Sequence, residues 1–334
     1  MRLAGFQQRT IGTRSQGRSD VAERWQVLIT DRLEALAVQI LEPFAQVEWR
    51  PGIDGALLLK ALAKADGLIV RGRMQVTADR IAAAPRLKVI GRAGVGLDNI
   101  DLPAATERGI IVVNSPAATT VAVAEHTLGL MFALARQIPR ADAGLRRGRW
   151  LKEKIRGIEL QGKSLGLVGL GRIGLAVAQR ASALGMRCLG YDPLYPSLSP
   201  PPGEVELVAL ETLLGQADFV SLHVPLSAQT RGMLDAARLK LMKPEAFLIC
   251  TARGGLIDER ALLTALNSGK LAGAGLDVFA EEPPGRDPLL SHELVVATPH
   301  VAGQTIESQE RAARDVAEEV LAVLRGQNPR WRAN

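Results

Sequence analysis

The chain has 334 residues, 47% of them hydrophobic and 23% charged, with a formal net charge of +6. That length suits two domains of about 100–200 residues each, and no apolar run approaches the ~20 residues that span a bilayer, so membrane insertion is not expected. Five arginines among residues 1–24, opposed by Asp20 and Glu23, supply half of the positive balance; the rest is scattered, with no basic stripe interleaved with aromatics, which argues against nucleic acid, and a small anionic substrate explains the excess arginine equally well. Cys188 and Cys250 each sit inside an apolar run and read as small buried hydrophobes. No disulfide or metal site is therefore expected, and a reducing, cytoplasmic setting fits best.

In chain order, residues 1–24 are arginine-rich and follow no helix or strand period. A disordered extension is expected there, although the absence of acids before Asp20 also permits a transit peptide. From Val27-Leu28-Ile29-Thr30 short apolar runs alternate with helical patterns, the first of which spaces Leu33, Leu36, Ala37 and Ile40 along one helix face. Gly67–Val70, Leu87–Ile90 and Gly109–Val113 continue this rhythm, which predicts a small parallel α/β lobe. Residues 121–138 read as one long helix, apolar on nearly every side, ending just before Pro139. Such a helix must be covered all round, and a subunit interface is the natural second cover.

Ser164–Val168 opens a second α/β unit, whose further strands are predicted at 188–191, 219–223, 246–250, 275–278 and 294–297, six in all. Pro200, Pro201 and Pro202 mark a surface loop inside it. The first strand runs into Gly169-Leu170-Gly171-Arg172-Ile173-Gly174, and the next ends at Asp192. Gly169 permits the tight turn, Gly171 lets backbone approach a pyrophosphate, and Gly174 lets the helix pack closely on the strand. Asp192 is spaced to accept hydrogen bonds from an adenosine ribose and to repel a 2′-phosphate, so NAD is expected rather than NADP. The pattern predicts a Rossmann-type doubly wound parallel sheet inserted into a smaller flavodoxin-like α/β substrate domain. The expected boundaries are 25–115 with 304–334 for the substrate domain and 116–303 for the NAD-binding domain, the final helix, Glu307 to Leu324, returning to the first lobe.

Oxidation of a hydroxy acid needs a base for the hydroxyl proton and a cation for the carboxylate. Of four histidines, His126 lies in the apolar helix and His292 in a loop, both structural positions, and His223 ends a strand facing the cofactor cleft. His300, after Thr298-Pro299 at the end of the last strand, is the better base. Glu282 can supply the carboxylate that holds its tautomer, and Arg253, flanked by small residues in Thr251–Gly255, offers a planar fork to an acid. Taken singly, each also has a bland reading: a capped core histidine, a solvated loop acid, a salt bridge at a helix start.

Together the segments Arg92–Asp101, Gly169–Gly174 with Tyr191-Asp192-Pro193, Ala252–Gly255, Leu276–Phe279 through Glu282-Pro283, and Thr298–His300 resemble the D-isomer-specific 2-hydroxyacid dehydrogenases. The resemblance runs from about Val27 to Leu324 and leans toward the branch that acts on 3-phosphoglycerate. It implies catalytic roles for Arg253, Glu282 and His300, and NAD contacts at Val95, Arg172, Ile173, Asp192, Thr251, Ala252, Asp277 and His300 to Gly303. It further implies substrate contacts at Arg71, Arg73 and Gly94-Val95-Gly96, the loop Val70–Arg73 having a solvated-loop reading beside it, and a homodimer built on the helix after residue 120. Thr119 stands where the family usually carries asparagine, which leaves the identity of the acid open. The expected reaction is NAD-dependent oxidation of 3-phosphoglycerate to 3-phosphohydroxypyruvate, at the entry to serine synthesis. The alternatives are a glyoxylate, hydroxypyruvate or related 2-oxo acid reductase and, more remotely, an NAD-sensing binding protein. No appended regulatory domain, and no feedback through one, is expected.

Overall fold

Two parallel sheets organise the computed structural model, which describes residues 24–194 and 205–334. The disorder expected over residues 1–24 falls, apart from Arg24, outside those residues, as does the proline loop at 200–202. The first sheet contains β1 (Trp25–Ile29), β2 (Ala45–Trp49), β3 (Gly67–Val70), β4 (Val89–Arg92) and β5 (Ile111–Asn114), in the order β2-β1-β3-β4-β5. The second contains β6 (Ser164–Val168), β7 (Arg187–Tyr191), β8 (Val205–Leu207), β9 (Phe219–Leu222), β10 (Ala246–Cys250), β11 (Leu271–Leu276) and β12 (Val295–Ala297), ordered β12-β11-β10-β9-β6-β7-β8. The fold is the expected α/β class with a doubly wound Rossmann-type sheet.

Period-two alternation sends Val27 and Ile29 to one face of the first sheet and Leu28 to the other, and both faces are covered. One cover is the helix Ile306–Leu324, whose Ala312, Ala313, Val316 and Val320 pack on Val27, Ile69 and Val89. The helix Thr120–Ala135 instead packs on β10 and β11 and on the helix Arg172–Ala183. Order reverses between β1 and β3 in the first sheet and between β6 and β9 in the second, and such switch points open a crevice beyond the strand ends.

Three sequence expectations need correction. The second sheet has seven strands, not six, because the short β8 is too brief to give a periodic signal. β11 begins and ends earlier than 275–278, at Leu271–Leu276, so Asp277 lies beyond the strand. The apolar helix stops at Ala135: Gln137 takes a left-handed conformation (φ 52°), and Pro139 stands in the first turn of a separate helix, Ile138–Arg146. Proline lacks the N–H that a first turn leaves unpaired anyway, so it starts a helix here where it was read as ending one. Within one chain Val121 and Phe132 of the helix Thr120–Ala135 are 42% and 38% exposed, so this chain alone does not cover it all round.

Candidate active site

The crevice between the sheets is a cleft of about 1440 Å³ lined by strand-end loops from both. From the second sheet come Gly171, Arg172 and Ile173, His223, Thr251 to Gly254, Asp277, Glu282, His300 and Gly303; from the first come Arg71, Arg73, Arg92 and Gly94 to Gly96. Gly169, Gly174 and Asp192 shape the adjoining turn and do not line this central cleft.

That turn is built by exclusion. Gly169 has φ 99°, and a Cβ on it would approach the His223 carbonyl to 2.8 Å; a Cβ on Gly174 would come within 2.1 Å of the Gly169 oxygen. At Gly171, by contrast, a Cβ would meet nothing within 4 Å. The backbone at the start of the helix Arg172–Ala183 therefore faces open space, as a bound pyrophosphate requires, and the residues fit a dinucleotide. The Asp192 carboxylate accepts from the Leu170 and Leu194 amides, both at 2.9 Å, which fixes it beside the turn.

His300 Nδ1 lies 2.7 Å from Glu282 Oε2, and Glu282 Oε1 accepts from the Phe279 amide at 3.1 Å. The carboxylate is thus held from behind while it orients the ring, leaving Nε2 for other partners. His300 itself takes φ 53°, a left-handed conformation that costs a non-glycine residue about 1–2 kcal/mol. Asp277 explains why it persists. Fully buried, its carboxylate accepts from the Thr298 hydroxyl (2.6 Å) and the Val301 (2.9 Å) and Ala302 (2.8 Å) amides, and its carbonyl accepts from the His300 amide at 2.8 Å. In this structure Asp277 therefore braces the histidine loop as well as lining the cleft. His126 Nε2 joins the same network, 2.9 Å from Thr298 Oγ1. Thr251 is also committed locally, its hydroxyl 2.9 Å from that of Thr127. His223 sits 2.9 Å from Ser221 Oγ, and burial holds its ring down to about 4, neutral at physiological pH.

Arg253 donates through Nε to Asp98 at 3.1 Å and through Nη1 to the Ala252 carbonyl at 2.7 Å. Gly96 is what lets it lie there, since a Cβ on that residue would stand 1.8 Å from Nη2. Arg71 donates to Gln304 at 3.0 Å, and the buried Asn99 pins the Arg71 loop by donating to the carbonyls of Arg71 and Met74. Arg73 is exposed on the cleft rim.

Arg92 was quoted in the sequence motif but assigned no role. It is the last residue of β4, paired in register with Val70 just before Arg71. Burial and the neighbouring Arg253 and Arg71 lower its guanidinium to about 10, and its Nε has no hydrogen-bond partner. Its Nη1 donates to the Ala93 carbonyl at 3.3 Å, which leaves a guanidinium near two others on the cleft wall, where an anion could be received. A signal was available: of two adjacent parallel strands, β4 ends in Arg92 and β3 is followed directly by Arg71. Asp98 lies in the same motif, but no local signal gave it or Gln304 a role, since each acts through a partner more than 150 residues away.

Residues 128–302 match the model of the D-isomer specific 2-hydroxyacid dehydrogenase NAD binding domain. D-3-phosphoglycerate dehydrogenase of Methanocaldococcus jannaschii is 50% identical over 302 residues, 90% of this chain and 58% of that protein; a chloroplastic Arabidopsis thaliana D-3-phosphoglycerate dehydrogenase is 42% identical over 320 residues, 95% of this chain and 51% of its own length. The chain thus spans a little over half the length of these relatives. Among solved structures, the TT0316 protein of Thermus thermophilus superposes with a TM-score of 0.85 at 41% identity, covering 92% of this chain and all of that one. A Paecilomyes thermophila glyoxylate reductase gives 0.84 at 29%, covering 93% and 98%. With an NAD-binding fold facing an arginine-lined wall, and these similarities along its length, the chain belongs to the D-isomer specific 2-hydroxyacid dehydrogenase family.

Proposed function

We propose that the protein is an NAD-dependent oxidoreductase that converts D-3-phosphoglycerate to 3-phosphohydroxypyruvate, the first step of L-serine synthesis. The observation that carries this reading is one cleft holding a carboxylate-oriented histidine together with Arg71, Arg73, Arg92 and Arg253, more cationic charge than a single carboxylate requires. Bound NAD would accept the hydrogen and its electron pair from substrate C2. His300 Nε2 takes the hydroxyl proton, because Nδ1 is engaged by Glu282, and the carboxylate stabilises the imidazolium that forms. Arg253 anchors the substrate carboxylate, with the amides of Gly94-Val95-Gly96 alongside, and Arg71 and Arg73 take the phosphate. Gly169, Gly171, Arg172, Ile173 and Gly174 hold the pyrophosphate, Asp192 the adenosine ribose, and Val95, His223, Thr251, Ala252, Asp277 and Gly303 border the nicotinamide.

We read 25–115 with 304–334 as the substrate domain and 116–303 as the NAD-binding domain. Support comes from the two separate sheets and from the packing of Ile306–Leu324 on the first. A homodimer is supported by the exposed apolar side chains of Val121, Phe132, Ile138, Leu145 and Trp150 on consecutive segments. Cys188 and Cys250, unpaired and buried, fit the cytoplasm, and burial pushes the Cys250 thiol up to about 11.

The test compares kcat/KM for NADH oxidation with 3-phosphohydroxypyruvate, hydroxypyruvate, glyoxylate and pyruvate. A preference for the phosphorylated acid of about 100-fold, ~2.7 kcal/mol, is expected. Equal or better rates with the unphosphorylated acids would move the protein to the broader reductases and leave the proton-transfer assignment standing.

A further inference from the structure

Past the helix Ile306–Leu324 the chain turns at Gly326 (φ 73°) and runs back along the first sheet as Gln327–Asn334. Glu319, 2% exposed, fixes the return by accepting from Arg330 Nε at 2.8 Å and from the Trp331 amide at 3.1 Å. The segment then pairs with β5. The Asn114 amide donates to the Trp331 carbonyl at 3.2 Å, Arg332 bridges Val113 in antiparallel sense, and the Ala333 amide donates to the Val112 carbonyl at 2.8 Å. Asn334 closes the pairing with side-chain bonds to Val112 and Ile110.

This scaffold carries the Trp331 ring across to the other unit, where the Arg172 guanidinium lies over it at 5.0 Å from the ring centroid. Arg172 opens the helix that follows Gly171 and lines the cleft. Among the described residues it makes no hydrogen bond or ion pair, so its own wall does not fix its side chain. A guanidinium stacked by its face keeps its N–H groups free for phosphate oxygens, and holding it in place in advance spares ordering cost on binding.

We propose that Trp331 is a positioning residue for the dinucleotide, holding Arg172 at the pyrophosphate end of the cleft. This rests on the reading of Gly169–Gly174 as the pyrophosphate turn. The strap has a second arm: Asn114, which donates its amide to Trp331, also donates Nδ2 to the Val95 carbonyl at 2.8 Å in the substrate loop. One segment thereby ties the cofactor-facing arginine to the opposite wall.

The experiment is calorimetric titration of NADH into the full chain carrying Trp331→Ala, Trp331→Phe, Arg172→Ala, or the first and third together, with melting temperatures recorded alongside. Trp331→Ala should weaken NADH by about two- to fivefold, the range of an exposed cation–π contact. Trp331→Phe should retain most of the affinity. In the Arg172→Ala background the Trp331 change should cost nothing further, because the two act as one unit. An unchanged affinity in Trp331→Ala, or losses that multiply in the double variant, overturns the proposal and leaves the cofactor reading intact. If Arg172→Ala binds NADH normally while Asp192→Ala does not, the proposal also falls and the cofactor turn survives; normal binding in both sinks the two together. Should Trp331→Ala fail to fold, Trp331→Leu keeps the apolar cover without a π face, and the same split from Trp331→Phe is expected.

Discussion

On the nucleotide wall of the cleft the groups that would meet a ligand are mostly backbone, exposed by a turn in which Gly169 and Gly174 leave no room for side chains. On the facing wall they are side chains, Arg71, Arg73 and Arg92, with Gln304 holding Arg71, while Asp98 and the small Gly96 of that wall receive Arg253 from across the cleft. The first wall is thus encoded in six consecutive residues, the second only in their assembly. A backbone site should fail as a unit when packing is disturbed; a side-chain site should fail one substrate group at a time.

His300, on the loop after β12, gives the largest expected effect. His300→Gln should lower kcat by about 10²–10⁴-fold while NADH titration gives an affinity within about twofold of the parent. Retention of full turnover would refute the proton-transfer role. Gly174→Ala tests the nucleotide wall. Its methyl would press on the Gly169 carbonyl, so a loss of about 1–3 kcal/mol in stability should come with at least tenfold weaker NADH binding and no change in preference among acids.

Arg92→Gln tests the facing wall in the opposite manner. The KM for the phosphorylated acid should rise about tenfold, ~1.4 kcal/mol, with NADH affinity unchanged. The melting temperature should hold or rise, because the substitution removes a half-buried cation that neighbouring arginines oppose. A lower melting temperature with unaltered KM would make Arg92 structural. The smallest effect concerns His223, which burial depresses to about 4. Between about 6.5 and 4 the unfolded chain binds a proton that the folded ring refuses, so stability is lost as pH falls through that window. In His223→Gln the drop in melting temperature from pH 7 to pH 4.5 should shrink by a few degrees, as scanning calorimetry would read.

Much of this was legible before the structure. The α/β class, the cofactor turn and the fingerprint aspartate follow from local patterns, because strand alternation and glycine spacing act over a few residues. Misreadings fell where a local signal is ambiguous. Pro139 can end a helix or open one, and only the left-handed Gln137 before it decides. β8, three residues long, is a strand because β7 offers it a partner. Asp277 could be named in a motif, but its bracing of Thr298, Val301 and Ala302 depends on how β11 and β12 end side by side.

The sequence by itself determined which residues could do chemistry and where the chain would turn tightly on glycines after β6, since both are properties of short segments. Only the tertiary structure decided which cations stand together and which aromatic ring meets Arg172. Those are set by contacts between residues up to 233 positions apart, as for Arg71 and Gln304, and no local periodicity records a contact of that range.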